Sequence, residues 1–280
     1  MPTLSPFREA LAKLRSRAPV GADLSSSQWR DVPQALRDRA FFSARLVNVQ
    51  IVQQIKDMVT SIIDPQQVRR ADRVTPENPE GFVTEGENLA SARLKIRESL
   101  KAIGYNPGDK AGTIEDLSSD ARINLQLTHN VESAQGFGSF LQGQAGGALT
   151  AFPAQELFRA EDRKEERAWA TRWMQAGGQV FAGRMIALKT DGIWERISAF
   201  QTPWPPFDFN SGMWIRDINR DEAVSLGLLG PDEEVKPSVG RFNASLAASV
   251  ENIDPELQES LKRSFGSQIF ISDGKARWAA

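Results

Sequence analysis

An apolar side chain recurs at every third or fourth position through the first quarter of the chain, and this spacing restricts the fold more than any other feature. The series consists of Leu36, Ala40, Ala44, Val47, Ile51, Ile55, Met58 and Ile62. These positions share one face of an α-helix. Pro33 suits a first helical turn, and Asp64 followed by Pro65 ends a helix. The pattern therefore predicts one helix of about 30 residues, roughly 45 Å long.

The apolar residues on one face of this predicted helix form a stripe, which needs an apolar partner along its whole length. Two interpretations are open: the helix is a core or coiled-coil element, or it is an assembly helix that packs against another subunit. Ile51 and Ile55 lie near the middle of the stripe. They are therefore candidate structural or interaction residues.

The chain of 280 residues has no cysteine and one histidine, His129. Disulfides, thiolate metal sites and cysteine nucleophiles are thereby excluded, and we predict no metal and no cofactor. His129 has no recognised catalytic motif beside it, so we assign it a structural or surface role. The net charge of −2 argues against general nucleic-acid binding. With no apolar leader or membrane-length segment in view, we expect a cytoplasmic chain.

Further patterns predict the remaining elements of the first half. Residues 65–86, rich in Pro, Gly, Glu and Arg, read as a loop or hairpin. A helix is expected from about Glu87 to Ile103, closed by Gly104. A third helix should begin near Asp116 or Ser118, and several glycines should weaken it toward its end. Its stripe comprises Ile123, Leu127, Val131, Ala134 and Leu141, and its glycines include Gly136, Gly138 and Gly143.

The second half is rich in tryptophan, with short predicted strands at Val180–Leu188 and Gln268–Ser272. Asp273-Gly274 predicts a hairpin turn, and Asp254-Pro255 opens a last helix that presents Leu257, Leu261 and Phe265. We therefore predict an α+β protein. A helical assembly domain occupies residues 1–148, and a compact, Trp-rich mixed α/β domain occupies residues 149–280.

Charge is distributed unevenly. Residues 1–60 carry a net charge of +4 and residues 231–260 a net charge of −5. These regions are solvated surfaces, complementary patches between subunits, or a basic face near nucleic acid. The mixed-charge run from Arg159 to Arg167 predicts an exposed, salt-bridged helix. Glu165 and Glu166 within it are weak acid–base candidates, because adjacent helical residues point in different directions.

The segment from Trp194 to Arg220 combines three Trp, three Phe and three Pro residues. Three interpretations are open: a small core that fixes an irregular loop, a docking surface, or an enzyme site. An enzyme site would need converging acids and bases, and the segment offers mainly Asp208 and Asp217. We expect these carboxylates to be exposed and of little consequence for stability.

Four segments, in this order, resemble the Mu F-like minor head proteins of phages. They are AFFSARLVNVQIVQQIKD, LSSDARINLQLTHNVESAQGFGSFLQGQ, AFPAQELFRAEDRKEERAWATRW, and GRMIALKTDGIW with PWPPFDFNSGM. The second is similar to the family's Arg-x-x-x-Ile-x-x-x-Asn helix through Arg122 and Asn130. The last stands in the place of the closing motif of the family, with Trp194 as a packing anchor. There the resemblance implies that Trp204 lies in the loop and that Pro205, Pro206 and Asn210 form it.

The chain also departs from the closing motif of the family at two places. Met185 or Ile186 stands where the family has histidine, and Ser211–Met213 stand where it has Cys-Arg-Cys. Metal or thiol chemistry at those positions is therefore not expected here.

The resemblance implies a structural virion protein near the portal, acting in prohead assembly or DNA packaging. Its expected partners are the portal and capsid proteins, with phage DNA as a further option, and its locations are the host cytoplasm during assembly and then the virion. Two alternatives are an enzyme with an ADP-ribosyltransferase-like fold and a DNA-contacting ejected protein that uses the basic N-terminal face.

Overall fold

The computed structural model describes residues 8–238, 247–250 and 255–278. The first half contains six helices and two small sheets among the described residues. The helices are α1 (Arg8–Ser16), α2 (Ser26–Asp31), α3 (Gln34–Arg37), α4 (Val49–Ile63), α5 (Leu89–Ala102) and α6 (Asp120–Gly143). The strands are β1 (Ala18–Val20), β2 (Ala40–Phe42), β3 (Gln66–Arg69) and β4 (Phe82–Glu85).

The second half mixes short helices with two further sheets. Its helices are α7 (Gly146–Ala151), α8 (Trp169–Gln175), α9 (Ile193–Ile197), α10 (Arg220–Ser225) and α11 (Pro255–Phe265). Its strands are β5 (Ala154–Arg159), β6 (Val180–Phe181), β7 (Arg184–Leu188), β8 (Met213–Ile218), β9 (Ala247–Ser249), β10 (Ile269–Ser272) and β11 (Lys275–Trp278). The predicted α+β class is confirmed.

The chain divides into two compact units. Unit 1 comprises residues 1–31, 37–131 and 253–268, and unit 2 comprises residues 32–36, 132–252 and 269–280. The division falls within α6, whereas the change in composition that marks the proposed boundary lies near residue 148. The assembly-domain boundary at 148/149 stays a prediction.

The single long helix predicted from Pro33 is wrong. The stripe is divided among α3, β2 and α4, and β2 pairs in parallel with β1. Asn48 caps α4 by accepting hydrogen bonds from the amides of Gln50 and Ile51. The carbonyl of Ala44, which a continuous helix would use internally, accepts a hydrogen bond from Arg122 at 2.7 Å. Local capping and strand pairing therefore interrupt the helix, although the apolar spacing would allow it to continue.

The second part of the stripe forms the core of unit 1. Ile51, Ile55 and Met58 are buried among residues of α5 and α6. Val47, by contrast, is 61% exposed, so burial along the whole stripe is also wrong. Lys56 is buried on α4, where its Nζ donates hydrogen bonds to the carbonyl oxygens of Arg15 and Arg17. Burial lowers the pKa of Lys56, while these carbonyl groups at the end of α1 satisfy its donors.

Two further helix predictions are confirmed with small changes at their ends. Asn88 caps α5, and Gly104 follows it with a φ of +74°, the left-handed conformation that glycine adopts readily. Ser119, rather than Asp116 or Ser118, accepts the first capping bond of α6, from the amide of Arg122. The helix α6 continues through Gly136 to Gly143, so those glycines do not end it early.

A four-stranded antiparallel sheet organises unit 2, in the order β6-β7-β5-β8. Trp173, Trp194 and Phe207 pack on the face of the sheet that carries Leu157, and Ile186 and Ile218 lie in a second apolar cluster with Ala154. Both faces of the central strand β5 are therefore covered.

The predicted helix at Arg159–Arg167 is wrong. Arg159 ends β5 opposite Met213, and the amides of Ala160 and Glu161 both donate to the carbonyl of Gly212. Strand pairing thus keeps the backbone extended in a segment where the charge pattern favours a helix. The ion pairs that form are Arg159 with Glu166 and Arg163 with Glu161.

The C-terminal predictions agree with the structure where it is described. Asp273 and Gly274 have φ values of +51° and +66° and connect β10 to β11. Such positive angles at both central residues suit a tight hairpin. The helix α11 begins at Pro255 and buries Leu261 and Phe265. Asp254 and the side chain of Leu257 lie outside the described residues.

Candidate functional site

Three aromatic residues of unit 2 form a packed core rather than an open surface. Trp173, Trp194 and Phe207 have 0% exposure. The ring centroids of Trp173 and Trp194 are 5.3 Å apart in an edge-on arrangement. Each indole donor is also satisfied: Trp194 Nε1 donates to the carbonyl of Leu188 at 2.8 Å, and Trp173 Nε1 donates to that of Gln179 at 2.7 Å. Trp194 is therefore the packing anchor that the resemblance implies.

Trp204 forms a second aromatic cluster, with Phe137 and Phe140 of α6. It has 0% exposure, and its ring centroid is 4.9 Å from that of Phe137. Pro205 and Pro206 beside it are buried, joined by a cis peptide bond. A docking role for Trp204 would need an accessible ring. The structure instead places it in the core.

Gly136 allows the backbone of the loop to approach α6 closely, as small residues on a helix permit. A Cβ at this position would lie 2.0 Å from the carbonyl oxygen of Pro205. Real Cβ atoms do not come so close to an oxygen, so only glycine fits without a shift of the backbone. The signal was present in the sequence as a glycine inside an amphipathic helix, but its partner in the loop could not be read from spacing.

The polar residues at the end of the loop also hold structure. Asp208 accepts a hydrogen bond from Arg172 at 3.0 Å and lies 3.7 Å from Arg167. Arg172 lies in turn over the ring of Trp169, 4.7 Å from its centroid. The side chain of Asp208 is only 19% exposed, so our expectation of an exposed carboxylate is wrong at this residue.

Asn210 and Asp217 occupy more open positions. Asn210 is exposed with a φ of +48°, and its carbonyl accepts a hydrogen bond from Arg163 at 3.1 Å. Asn tolerates this left-handed conformation better than most residues, which fits its expected role in forming the loop. Asp217 is 54% exposed and pairs with buried Lys189 at 2.8 Å.

An ion cluster around the buried side chain of Glu156 was not predicted. Glu156 of β5, whose side chain is 6% exposed, accepts hydrogen bonds from Arg184 of β7 and Arg216 of β8 at 2.6–2.9 Å. Arg184 also donates to Glu222 of α10 at 2.6 Å. Burial opposes ionisation of Glu156, but the hydrogen bonds from both guanidinium groups outweigh it and hold the pKa of Glu156 below its ordinary value.

The cluster links three adjacent strands and neutralises its own charge. Hydrogen bonds to Glu156 and Glu222 raise the pKa of Arg184. The sequence of β5, with Glu156 between Gln155 and Leu157, gives no sign of such a site. Its partners lie 28 and 60 residues away, and only the strand register identifies them.

The two polar residues of the resembling helix lie in unit 1. Arg122 donates to the carbonyl of Ala44 and to Ser43, and burial lowers the pKa of its guanidinium group. Asn130 donates to the carbonyl of Gln126 at 2.8 Å, within the same helix. His129 is half-buried on α6. Arg122 thus fixes the segment that precedes α4.

Within the part of the chain that the structure describes, no group of three or more His, Asp or Glu side chains could hold a metal ion. None of the described helices combines the length and apolar character needed to cross a membrane. No family model matches the chain, and comparison with curated proteins and with solved structures gives no match.

Proposed function

We propose that the chain is a structural protein of phage heads, a minor head protein that acts through protein contacts near the portal in prohead assembly or DNA packaging. Its resemblance to the Mu F-like minor head proteins motivates the assignment. Portal and capsid proteins are the proposed partners, and the host cytoplasm and virion are the proposed locations.

The segment from Trp194 to Arg220 is termed the aromatic loop. The burial of its rings is the observation that supports a structural role most strongly. Trp204 and Phe207 are fully buried, and Asp208 is held by two arginines. A loop of this kind stabilises a fold and leaves few groups free for acid–base chemistry. Two of the four resembling segments also meet in one sheet, because the third contains β5 and the fourth contains β7 and the start of β8.

The proposal is tested in the phage that encodes the chain. Deletion of the gene is expected to abolish DNA-filled heads, and mass spectrometry of purified wild-type virions should detect the chain in few copies. Co-expression with the portal protein should yield a complex. Normal, infectious particles from the deletion strain would overturn the proposal.

The enzyme alternative predicts a different result. Purified protein would transfer label from NAD to a protein acceptor, and Asp208→Asn or Asp217→Asn would abolish the transfer while leaving the melting temperature unchanged. Under the structural proposal no label is transferred, and Trp204→Ala impairs head incorporation more than either carboxylate change.

A further inference from the structure

The hairpin formed by β3 and β4, residues 65–86, is termed the hairpin arm. It is exposed along nearly its whole length, and Gly81 is its only buried residue. The exposed side chains include two large apolar ones, Val74 at 50% and Phe82 at 45%. An isolated two-stranded hairpin is only marginally stable in water, so an arm with so little packing needs other support.

Local hydrogen bonds supply that support. Gln67 Nε2 donates to Thr84 Oγ1, and Arg69 Nε donates to the carbonyl of Glu80 at 3.0 Å. Asn78 makes a reciprocal pair of bonds with the backbone of Phe82, and Arg70 forms an ion pair with Glu85. The arm is thus organised before it meets any partner, which lowers the entropy cost of binding.

Both outer edges of the arm are open within the described part of the chain. The strands β3 and β4 form a two-stranded sheet with each other, and no described third strand joins them. An edge of this kind has outward backbone N–H and C=O groups that can pair with another strand. Addition of a strand to a sheet edge is a common mode of protein recognition.

The two halves of the arm, each taken as one strand with the adjoining part of the connecting segment, carry opposite charge. The β3 side, residues 65–73, has three arginines and one aspartate, a net charge of +2. The β4 side, residues 77–86, has three glutamates and no base, a net charge of −3. Glu77 and Glu80 make no ion pair within the described residues. The arm is therefore complementary to itself, with one edge matching the other.

This charge pattern selects one arrangement of two arms. Pairing β3 with β3, or β4 with β4, would bring like charges together and is disfavoured. Placing the β3 edge of one copy beside the β4 edge of the next brings opposite charges together and continues an antiparallel sheet. Arg69 ends β3 opposite Phe82, and Arg73, Glu77 and Glu80 lie in the segment that connects β3 to β4. In two arms side by side, these arginines and glutamates therefore lie at the same end of the arm.

We propose that the hairpin arm is a self-association surface, in which the basic β3 edge of one chain binds the acidic β4 edge of a second copy. Each chain has one edge of each kind, so the contact is head-to-tail and leads to rings or filaments rather than closed dimers. This inference does not depend on the proposed head function, because it uses the arm alone.

The test is a charge swap in the full chain, followed by sedimentation and light scattering over a range of concentrations. Variant A carries Arg69→Glu and Arg73→Glu, which makes both edges acidic. Variant B carries Glu77→Arg and Glu80→Arg, which makes both edges basic. A matched control, Lys101→Glu with Lys236→Glu, makes the same charge change as variant A at exposed positions outside the arm.

The wild-type chain and the control are expected to associate beyond the dimer, more weakly at high salt. Variants A and B should each lose affinity by about tenfold or more, because their edges repel. An equimolar mixture of A and B should associate again, since each edge then meets an opposite charge. Restored association also excludes simple loss of the arm structure as the cause.

Two results would overturn the proposal. One is a wild-type chain that stays monomeric at every concentration, as expected if another protein or a nucleic acid binds the arm. The other is association that survives in A and B alone, or that fails to return in their mixture. A chain that self-associates as proposed but is absent from virions would contradict the head function and leave this inference intact.

Discussion

The aromatic loop and the hairpin arm both contain proline, yet they are stabilised in different ways. The loop around Trp204 is buried and held by ring packing, whereas the arm is exposed and held by its own hydrogen bonds. Buried apolar area contributes far more to global stability than exposed hydrogen bonds do. The aromatic loop therefore stabilises the folded core, whereas the hairpin arm is exposed and available for a partner.

The largest expected effect is that of Trp204→Ala. Removing a fully buried indole loses its packing and leaves a cavity, so the free energy of unfolding should fall by about 3–5 kcal/mol. Urea denaturation followed by circular dichroism measures the change. Phe270→Ala, at an aromatic that is 62% exposed, is the matched control and should change stability little. Equal losses in the two variants would break the comparison.

Glu156→Gln is expected to have the next largest effect. It removes the carboxylate that Arg184 and Arg216 share and leaves Arg184 with Glu222 alone, at a cost of about 2–3 kcal/mol after allowance for the partial exposure of both arginines. The folded-state pKa of Glu156 is lowered, so its contribution is present above the ordinary carboxyl pKa and is lost as the pH falls through the folded-state value.

The difference between wild type and Glu156→Gln should therefore shrink in acid. Melting temperatures measured from neutral to acidic pH check this, with exposed Glu165→Gln as the control. A difference that grows as the pH falls would contradict the assigned ionisation of the cluster.

Asp208→Asn should be milder, at about 1 kcal/mol, because Arg172 and Arg167 keep partial access to water. Asp162→Asn, at an exposed carboxylate in the same unit, provides the reference for the melting measurement. A loss as large as that of Trp204→Ala would mean that the polar end of the loop, and not its rings, determines stability.

Phe82→Ser in the arm should change the unfolding free energy by no more than about 0.5 kcal/mol, the usual range for surface positions. The measurement is made at low concentration, so that association does not contribute. A loss of several kcal/mol would show that the arm packs as part of the core and would remove the contrast with the loop.

Sequence patterns predicted local elements well wherever local signals act alone. Asp273-Gly274 predicted its hairpin, and Gly104 predicted the end of α5. They failed where a distant group competes: the carbonyl of Ala44 binds Arg122, and the amide of Glu161 binds Gly212, so neither segment continues as a helix. The spacing of apolar or charged residues describes one segment only. It carries no information about hydrogen-bond partners that are distant in the sequence.

The candidate site shows the same limit. For the segment that contains Trp194 and Trp204, the sequence left a small core, a docking surface and an enzyme site open, and the structure shows both rings buried. The carboxylate of Glu156 needed the register of three strands before its partners could be named, and Gly136 needed the position of Pro205. Tertiary pairing, and not local propensity, determines both.

Amide hydrogen exchange of the full chain, measured by mass spectrometry in dilute solution, tests the central contrast most directly. Peptides that cover Trp194 and β8 should exchange only through cooperative unfolding, because their amides lie in or beside the buried core. Peptides that cover β3 and β4 should exchange orders of magnitude faster through local opening. Equal protection of the two regions, or a loop that exchanges faster than the arm, would contradict the account.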